Sequence, residues 1–376
     1  MSISRATFVR EQNIGTEAAP TWVGTTALEA RRGLAGLYAE NSPGVPRSGV
    51  INPSMTFIVQ ATDSMTYDVY PCELVIFRAA NEGVYNPTLQ NITTLPAAVA
   101  PGAGLSRYDI IYAKQNDIDK SDADNQPILG VVSGTPSSNP ARPSLPAGAI
   151  GLAEARIYGG TTSTLQSPNV VTQTYRFTAP RGGLIQCRTL AERNEITLPA
   201  RGQMVLRMDR NNHVQMYVGP TQAQNTSGWK YITPPERYIA NASTFVSTES
   251  NQARVITTLD DGIPTRPYAS RIRVYGQAAI RSDPITTGVL RLIFSASAGV
   301  GTADAAQAKS WISFSSPGDY LQSVSASFDW ITLAANQNPL ARLWIDYDAP
   351  VSTVNHQIGN NPNSGYIEAL VMPADD

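Results

Sequence analysis

Few residues in this chain are of types that do chemistry, and those few are scattered. Of its two histidines, His213 follows a paired-asparagine turn in a strand-like run, and His356 stands in a loop rich in asparagine and glycine. Both read as ordinary exposed or half-packed side chains rather than as a general base or a metal ligand. The sequence has no HExxH, CxxC, GxxxxGK[ST] or GxSxG arrangement. The spacings of a zinc-hydrolase helix, a paired-thiol site, a phosphate loop and a serine elbow are therefore missing. A glycosidase needs only two carboxylates at a set separation, which sequence does not reveal. It stands as the enzymatic alternative to a non-enzymatic reading.

The densest run of carboxylates is Asp117, Asp119, Asp122 and Asp124, flanked by Asn116 and Asn125. Oxygen ligands gathered in a loop suit Ca²⁺. These four aspartates are thus the candidate metal ligands, and Ca²⁺ is the one candidate cofactor. The stretch lacks the sixth-position glycine and twelfth-position glutamate of an EF-hand loop, so a solvated loop without cofactor is the preferred reading. Cys72 and Cys187, far apart in the chain, read as unpaired, small, half-apolar side chains.

Tryptophans on polar faces are more informative. Strand alternation from Arg342 to Asp348 puts Leu343, Ile345 and Tyr347 on an apolar face. Trp344 falls on the other, with Arg342, Asp346 and Asp348. From Lys309 to Ser315, Trp311 shares a face with Lys309 and Ser313, while Ile312 and Phe314 point inward. A buried tryptophan keeps register with the apolar set, so Trp311 and Trp344 need another explanation. Contact with a neighbouring subunit is preferred, since Trp and Arg are enriched in interface hot spots. Stacking on a glycan and packing within the chain stay open. Trp330, in register with Phe328, is expected in the core.

The elements that must position these residues follow from pattern and composition. A chain of 376 residues exceeds what one core usually serves, so several domains are expected. Charged residues make up 15 %, against about 25 % in ordinary soluble domains, which suggests surface covered by partner chains. Net charge of −2 and a pI near 5.8 give no basic footprint for nucleic acid. No apolar run approaches the ~18–20 residues of a membrane span, and the first residues lack a signal-peptide core. Synthesis in a cytoplasm without membrane insertion is the expectation.

The fold class expected is mainly β, in four parts. Residues 1–49 comprise an extended arm and one helix from Thr26 to about Glu40. Thr26 and Glu29 form its capping box, Ala27, Ala30, Leu34, Leu37 and Tyr38 its apolar stripe, and the Asn41–Pro46 stretch its stop. Residues 50–180 alternate with period two and read as a β-rich platform, crossed by the proline-rich connection GTPSSNPARPSLPAG. Residues 181–238 read as a small β-hairpin linker module, with a strand from Gly202 to Asp209, a turn at Asn211-Asn212 and a return strand His213–Val218. Residues 239–376 hold at least seven short strands, the spacing of a jelly-roll-like β-sandwich.

An ordered series in the middle of the chain resembles the minor tail and baseplate proteins of siphophages infecting actinobacteria. Arg107-Tyr108-Asp109-Ile110-Ile111 is similar to the family's R-[IY]-D-[LI]-[VI] strand, and the acidic loop at 117–124 follows it. Val131 to Pro136, the prolines Pro140, Pro143 and Pro146, and then Leu152-Ala153-Glu154 complete the series. Pro199, Gly202, Asp209, Tyr217-Val218-Gly219 and Trp229 resemble a short hairpin module of such proteins, with a longer loop from Pro220 to Gly228. The resemblance spans roughly residues 45–235. It implies a virion tail-tip protein, attached through its N-terminal half, most simply a homotrimer, with other tail-tip proteins as partners and host cell-wall polysaccharide as a further one. It supplies no catalytic residues.

Overall fold

The computed structural model describes residues 12–51, 57–219, 228–241, 247–248, 254–259, 263–282, 287–295, 306–313, 322–347, 356–358 and 365–374. The chain is mainly β and divides into two compact units, Met1–Lys230 and Tyr231–Asp376.

In the first unit the expected capping box is present: Thr26 Oγ1 accepts from the Glu29 N–H, and Glu29 Oε2 accepts from the Thr26 N–H. The α-helix runs Ala27–Ala35 and stops at Gly36, short of Glu40. Residues Glu40–Ser42 and Val45–Pro46 instead pair as a tight hairpin around Gly44, whose φ of +76° suits glycine. No residue of the helix is fully buried. Its expected apolar stripe therefore does not reach a core, and Leu37 is 59 % exposed.

The platform is built on a four-stranded antiparallel sheet in the order Pro127–Ser133, Ser106–Gln115, Ala149–Tyr158, Val170–Gln173. Alternation puts Asp109, Ile111 and Ala113 on its buried face, beside Ala153, Ala155 and Ile157. Two smaller sheets supply Ile58, Val59, Tyr67, Val69, Leu74 and Ile76 to the same core. The proline-rich connection stays extended. The Gly134 N–H bonds to Tyr108 O, Ser137 bridges Ser106, and Arg142 lies over the Tyr108 ring at 4.7 Å while pairing with Glu154.

The hairpin module is larger than expected. Leu184–Cys187 pairs in parallel with Met204–Arg207, which pairs with His213–Val218, and Gly228–Tyr231 completes a four-stranded sheet. A parallel pair needs a crossover, and a second helix, Leu190–Asn194, capped by Thr189, lies in it. One helix was expected; five residues are too few to show a helical period. The predicted strand Gly202–Asp209 shortens to Met204–Arg207 because Met208–Arg210 forms a 3₁₀ turn before Asn211 and Asn212, both at positive φ. His213, read as exposed or half-packed, is buried. Cys72 and Cys187 are buried free thiols.

The second unit is a β-sandwich. Its larger sheet sets Glu236–Asn241, Gly365–Pro373, Ser270–Ser282 and Gln322–Leu333 side by side, and its smaller sheet runs Arg254–Thr258, Leu340–Tyr347, Thr287–Ser295, Ala306–Ser313. Ile272, Val274, Ile367 and Val371 of one sheet meet Leu292, Phe294 and Leu343 of the other in a single core. The sheets pack tightly at Gly276, where an added Cβ would lie 2.7 Å from Leu343 Cδ1.

Candidate functional site

Two of the polar clusters among the described residues bear on function. The first is the acidic loop, which the sequence presents as solvated and the structure turns into a cross-link. Asp117 caps the 3₁₀ turn Ile118–Lys120 through the Asp119 N–H. Its other oxygen accepts from the Tyr85 hydroxyl at 2.5 Å and lies 3.4 Å from Arg31 of the N-terminal helix. Asp122 takes Lys114, Arg78 at 2.7 Å and the Asp117 N–H. Asp124 accepts from the Asn116 side chain and the Gln126 N–H. Helix and loop 81–85 interlock: Arg31 and Arg32 donate to Glu82 O and Asn81 O, and the Val84 N–H to Arg31 O.

Charge shifts follow from these contacts. The hydrogen bond from Lys114, helped by the Asp117 N–H and Arg78, holds the Asp122 carboxyl well below the usual range. The Asn116 and Gln126 donors lower Asp124. At Asp117 burial pushes upward, but Tyr85, the Asp119 N–H, Arg31 and Arg78 together outweigh it and the net shift is downward. Burial and the Asp117 hydrogen bond push the Tyr85 phenol up to about 12. Asp117, Asp122 and Asp124 therefore turn their oxygens toward different protein donors rather than toward one point, and Asp119 is exposed, its N–H engaged by Asp117. Among the described residues no three His, Cys, Asp or Glu side chains are placed to hold a metal ion.

The second place is the outward face of the larger sandwich sheet. Alternation along Ser270–Ser282 sends Ile272, Val274 and Ala278 into the core and leaves Arg273, Tyr275 and Gln277 outward. Along Gly365–Pro373 the strict buried/half-buried pattern leaves Tyr366, Glu368, Leu370 and Met372 outward. Register then forms rows. Tyr275 faces Glu368, which faces Ile239; Gln277 faces Tyr366. The Tyr275 and Tyr366 rings lie 5.8 Å apart at 44°, and both hydroxyls donate to Gln277 Oε1, at 3.0 and 3.3 Å. Arg237 pairs with Glu368 beside them. Burial, then Tyr275 and Glu368, raise the Tyr366 phenol.

Trp330 belongs to this face, not to the core. The pairing steps from Ile272↔Ile331 to Val274↔Phe328, so Gln322–Leu333 carries one extra residue, a β-bulge. The bulge moves Trp330 out of phase with Phe328. Phe328 packs on Phe294 in the core, while Trp330 is 39 % exposed with Arg271 5.8 Å from its ring. Alternation read along one strand could not reveal this, because the offset exists only relative to the partner strand.

Of the residues the sequence singled out on the smaller sheet, Arg342 is half-buried between the buried Ala341 and Leu343, as alternation requires. Trp344 faces Arg291 and Val255 in the ladder, and Trp311 faces Val289. The side chains of Trp311, Trp344 and Asp346, and the whole of Asp348, lie outside the described residues. The sequence reading missed the Tyr275–Gln277–Tyr366 group, whose members come from strands far apart in the chain. Period-two alternation did mark each as outward, but not that they meet.

No protein-family model matches the chain, and no curated protein matches it. Among solved structures it is similar to Eiger TNF from S. frugiperda, at 15 % identity over 38 % of this chain and 97 % of that one, with a TM-score of 0.26. Against the VP2 subviral particle of infectious bursal disease virus the identity is 9 %, covering 92 % of this chain and 81 % of that one at a TM-score of 0.22. The mosquito-larvicidal Cry4Aa toxin from Bacillus thuringiensis gives 12 % identity over 85 % of this chain and a TM-score of 0.21, and this chain spans about half of that toxin's length (52 %).

Proposed function

We propose that this chain is a non-enzymatic structural component of a bacteriophage tail tip or baseplate, docked to the virion by its N-terminal half and working as a homotrimer. The observation that supports this reading is where the residues of the family resemblance sit. Arg107 and Asp109 form a buried ion pair under the platform sheet. Gly134 and Arg142 tie the proline-rich connection to Tyr108 and Glu154. These residues are joints of a scaffold, each engaged within the chain, which suits a series that serves architecture. The cross-linked acidic loop, which fixes the helix to the platform, is of the same kind.

The test is gold-labelled antibody against the full chain, applied to particles of the phage that encodes it. Label at the distal end of the tail is expected; label confined to the head overturns the reading. A second reading, a receptor-binding adhesin for cell-surface glycan, is favoured by one observation. The tilted Tyr275–Tyr366 pair with its shared Gln277 acceptor offers ring faces and hydrogen-bonding groups of the kind that suit a sugar. Saturable retention of the full chain on purified wall polysaccharide, lost in Tyr366→Ala, would select it.

A further inference from the structure

We infer that the outward face of the larger sandwich sheet, centred on Ile239, Tyr275 and Tyr366, is the surface through which copies of this chain meet. The inference rests on the homo-oligomeric part of the function proposed above and deepens it by naming the contact.

Three observations carry it. The first is composition. Ile239, Tyr275, Tyr366 and Leu370 lie in adjoining cross-strand rows, with Trp330 at the bulge beside them. Ile239 is 42 % and Trp330 39 % exposed, and the others are half-buried. Large apolar and aromatic side chains interleaved with Arg237, Glu368 and Arg273 have the mixed make-up of an interaction surface, and Tyr and Trp are the types enriched at the centre of protein interfaces.

The second is charge. Arg237 and Glu368 satisfy each other on this face. Arg273 and Asp329, both exposed, form no ion pair with each other or with another described residue. Among the described residues this patch thus carries two cations without an ion partner, Arg271 and Arg273, and one such anion, Asp329, so one copy offers charges that another can complement. Asp329 of one copy can meet Arg273 of the next, head to tail around the ring, which is the heterologous contact that a trimer requires.

The third is size. Four strands spaced about 4.8 Å apart, with Gly365–Pro373 of nine residues rising about 3.4 Å each, give a flat face of roughly 600 Å² in projection. Its accessible area is larger because side chains corrugate it, which approaches the roughly 800 Å² each partner contributes to a stable interface. A sugar unit would cover only part of it. The glycine at position 276, by contrast, faces inward, so the outer face keeps an unbroken set of side chains.

The test is mass photometry and sedimentation of the full chain at micromolar concentration. Wild type is expected as an oligomer. Ile239→Lys should raise the concentration for half-assembly at least about tenfold, with an unchanged circular dichroism spectrum and melting temperature. Arg273→Glu should weaken assembly, and adding Asp329→Arg should restore it while the melting temperatures of both variants stay at the wild-type value, which separates a restored contact between copies from a restored pair across the bulge of one chain. An oligomer of unchanged mass in Ile239→Lys and Arg273→Glu overturns this face while leaving the proposed tail-tip role intact. A monomeric wild type that is retained on wall polysaccharide through Ile239 reassigns the face to glycan. A wild type that is monomeric and not retained overturns both the contact and the trimer.

Discussion

Arg107 and Asp109, two residues apart on one strand, point to the same side of the platform sheet and close a two-bond ion pair there, at 2.8 and 3.1 Å. Asp109 is fully buried and Arg107 nearly so. Tyr67 donates its hydroxyl to Asp109, and Arg107 donates onward to Ala98 O and Val99 O. The R-x-D spacing is thus a strand device, because only residues i and i+2 share a face. The same spacing also pairs Arg207 with Asp209, but there the strand has ended and Asp209 lies in the 3₁₀ turn.

Breaking the buried pair from one side should be costly, since it strands a charge in the core. Asp109→Ala is expected to lower stability by about 3–5 kcal/mol and Tyr67→Phe by about 1–2 kcal/mol. Urea midpoints at constant m-value measure both. A loss under about 1 kcal/mol for Asp109→Ala would mean that Arg107 finds another acceptor.

The acidic cross-link should make the first unit acid-sensitive. Asp117, Asp122 and Asp124 are held below the ordinary aspartate range, so the folded chain binds those protons only at lower pH than the unfolded chain does. Their stabilisation is present above about pH 4 and fades as pH falls through the folded values. The urea midpoint should drop between neutral pH and about pH 3, and Asp122→Asn should lower it at neutral pH while flattening the acid limb. A parallel curve for the variant would remove Asp122 from the linkage.

Gly83 should be intolerant of any side chain. Its φ is +73°, and an added Cβ would lie 2.2 Å from the Arg31 carbonyl carbon. Gly83→Ala is expected to detach helix Ala27–Ala35 from loop 81–85, read as faster amide exchange at Val84, whose N–H bonds to Arg31 O. Unchanged protection there would refute the interlock.

The bulge predicts opposite outcomes for two aromatics in one strand. Phe328→Ala, which removes a ring packed on Phe294, should cost about 2–4 kcal/mol. Trp330→Ala should cost less than about 1 kcal/mol in the isolated chain. Equal losses would place Trp330 in the core after all.

Burial raises both cysteine thiols to about 11, leaving only about a thousandth of each ionised at pH 8. A thiol reagent should therefore be nearly inert toward the native chain and titrate both cysteines in denaturant. Fast reaction of one thiol under native conditions would show that its site opens.

The sequence by itself determined the β character, the capped helix start and the run of short strands in the sandwich, and it favoured unpaired cysteines. Period-two alternation and cap chemistry are local, so they survive without knowledge of partners. It stopped short wherever the deciding relation was between strands. The helix ended at Gly36, not Glu40, because residues 40–46 found each other as a hairpin. The helix Leu190–Asn194 is a single turn and exists to carry a parallel crossover. Asp117 and Asp122 looked solvated because Arg31 and Arg78 come from distant segments, whereas Asp119 and Asp124 are exposed as expected. Trp330 left the core through a bulge defined only against Ser270–Ser282. Tyr275 and Tyr366 met on one face because strands far apart in sequence pair in the sheet. Local sequence sets which side of a strand a residue takes; register and bulges, set by the whole chain, decide whom it faces.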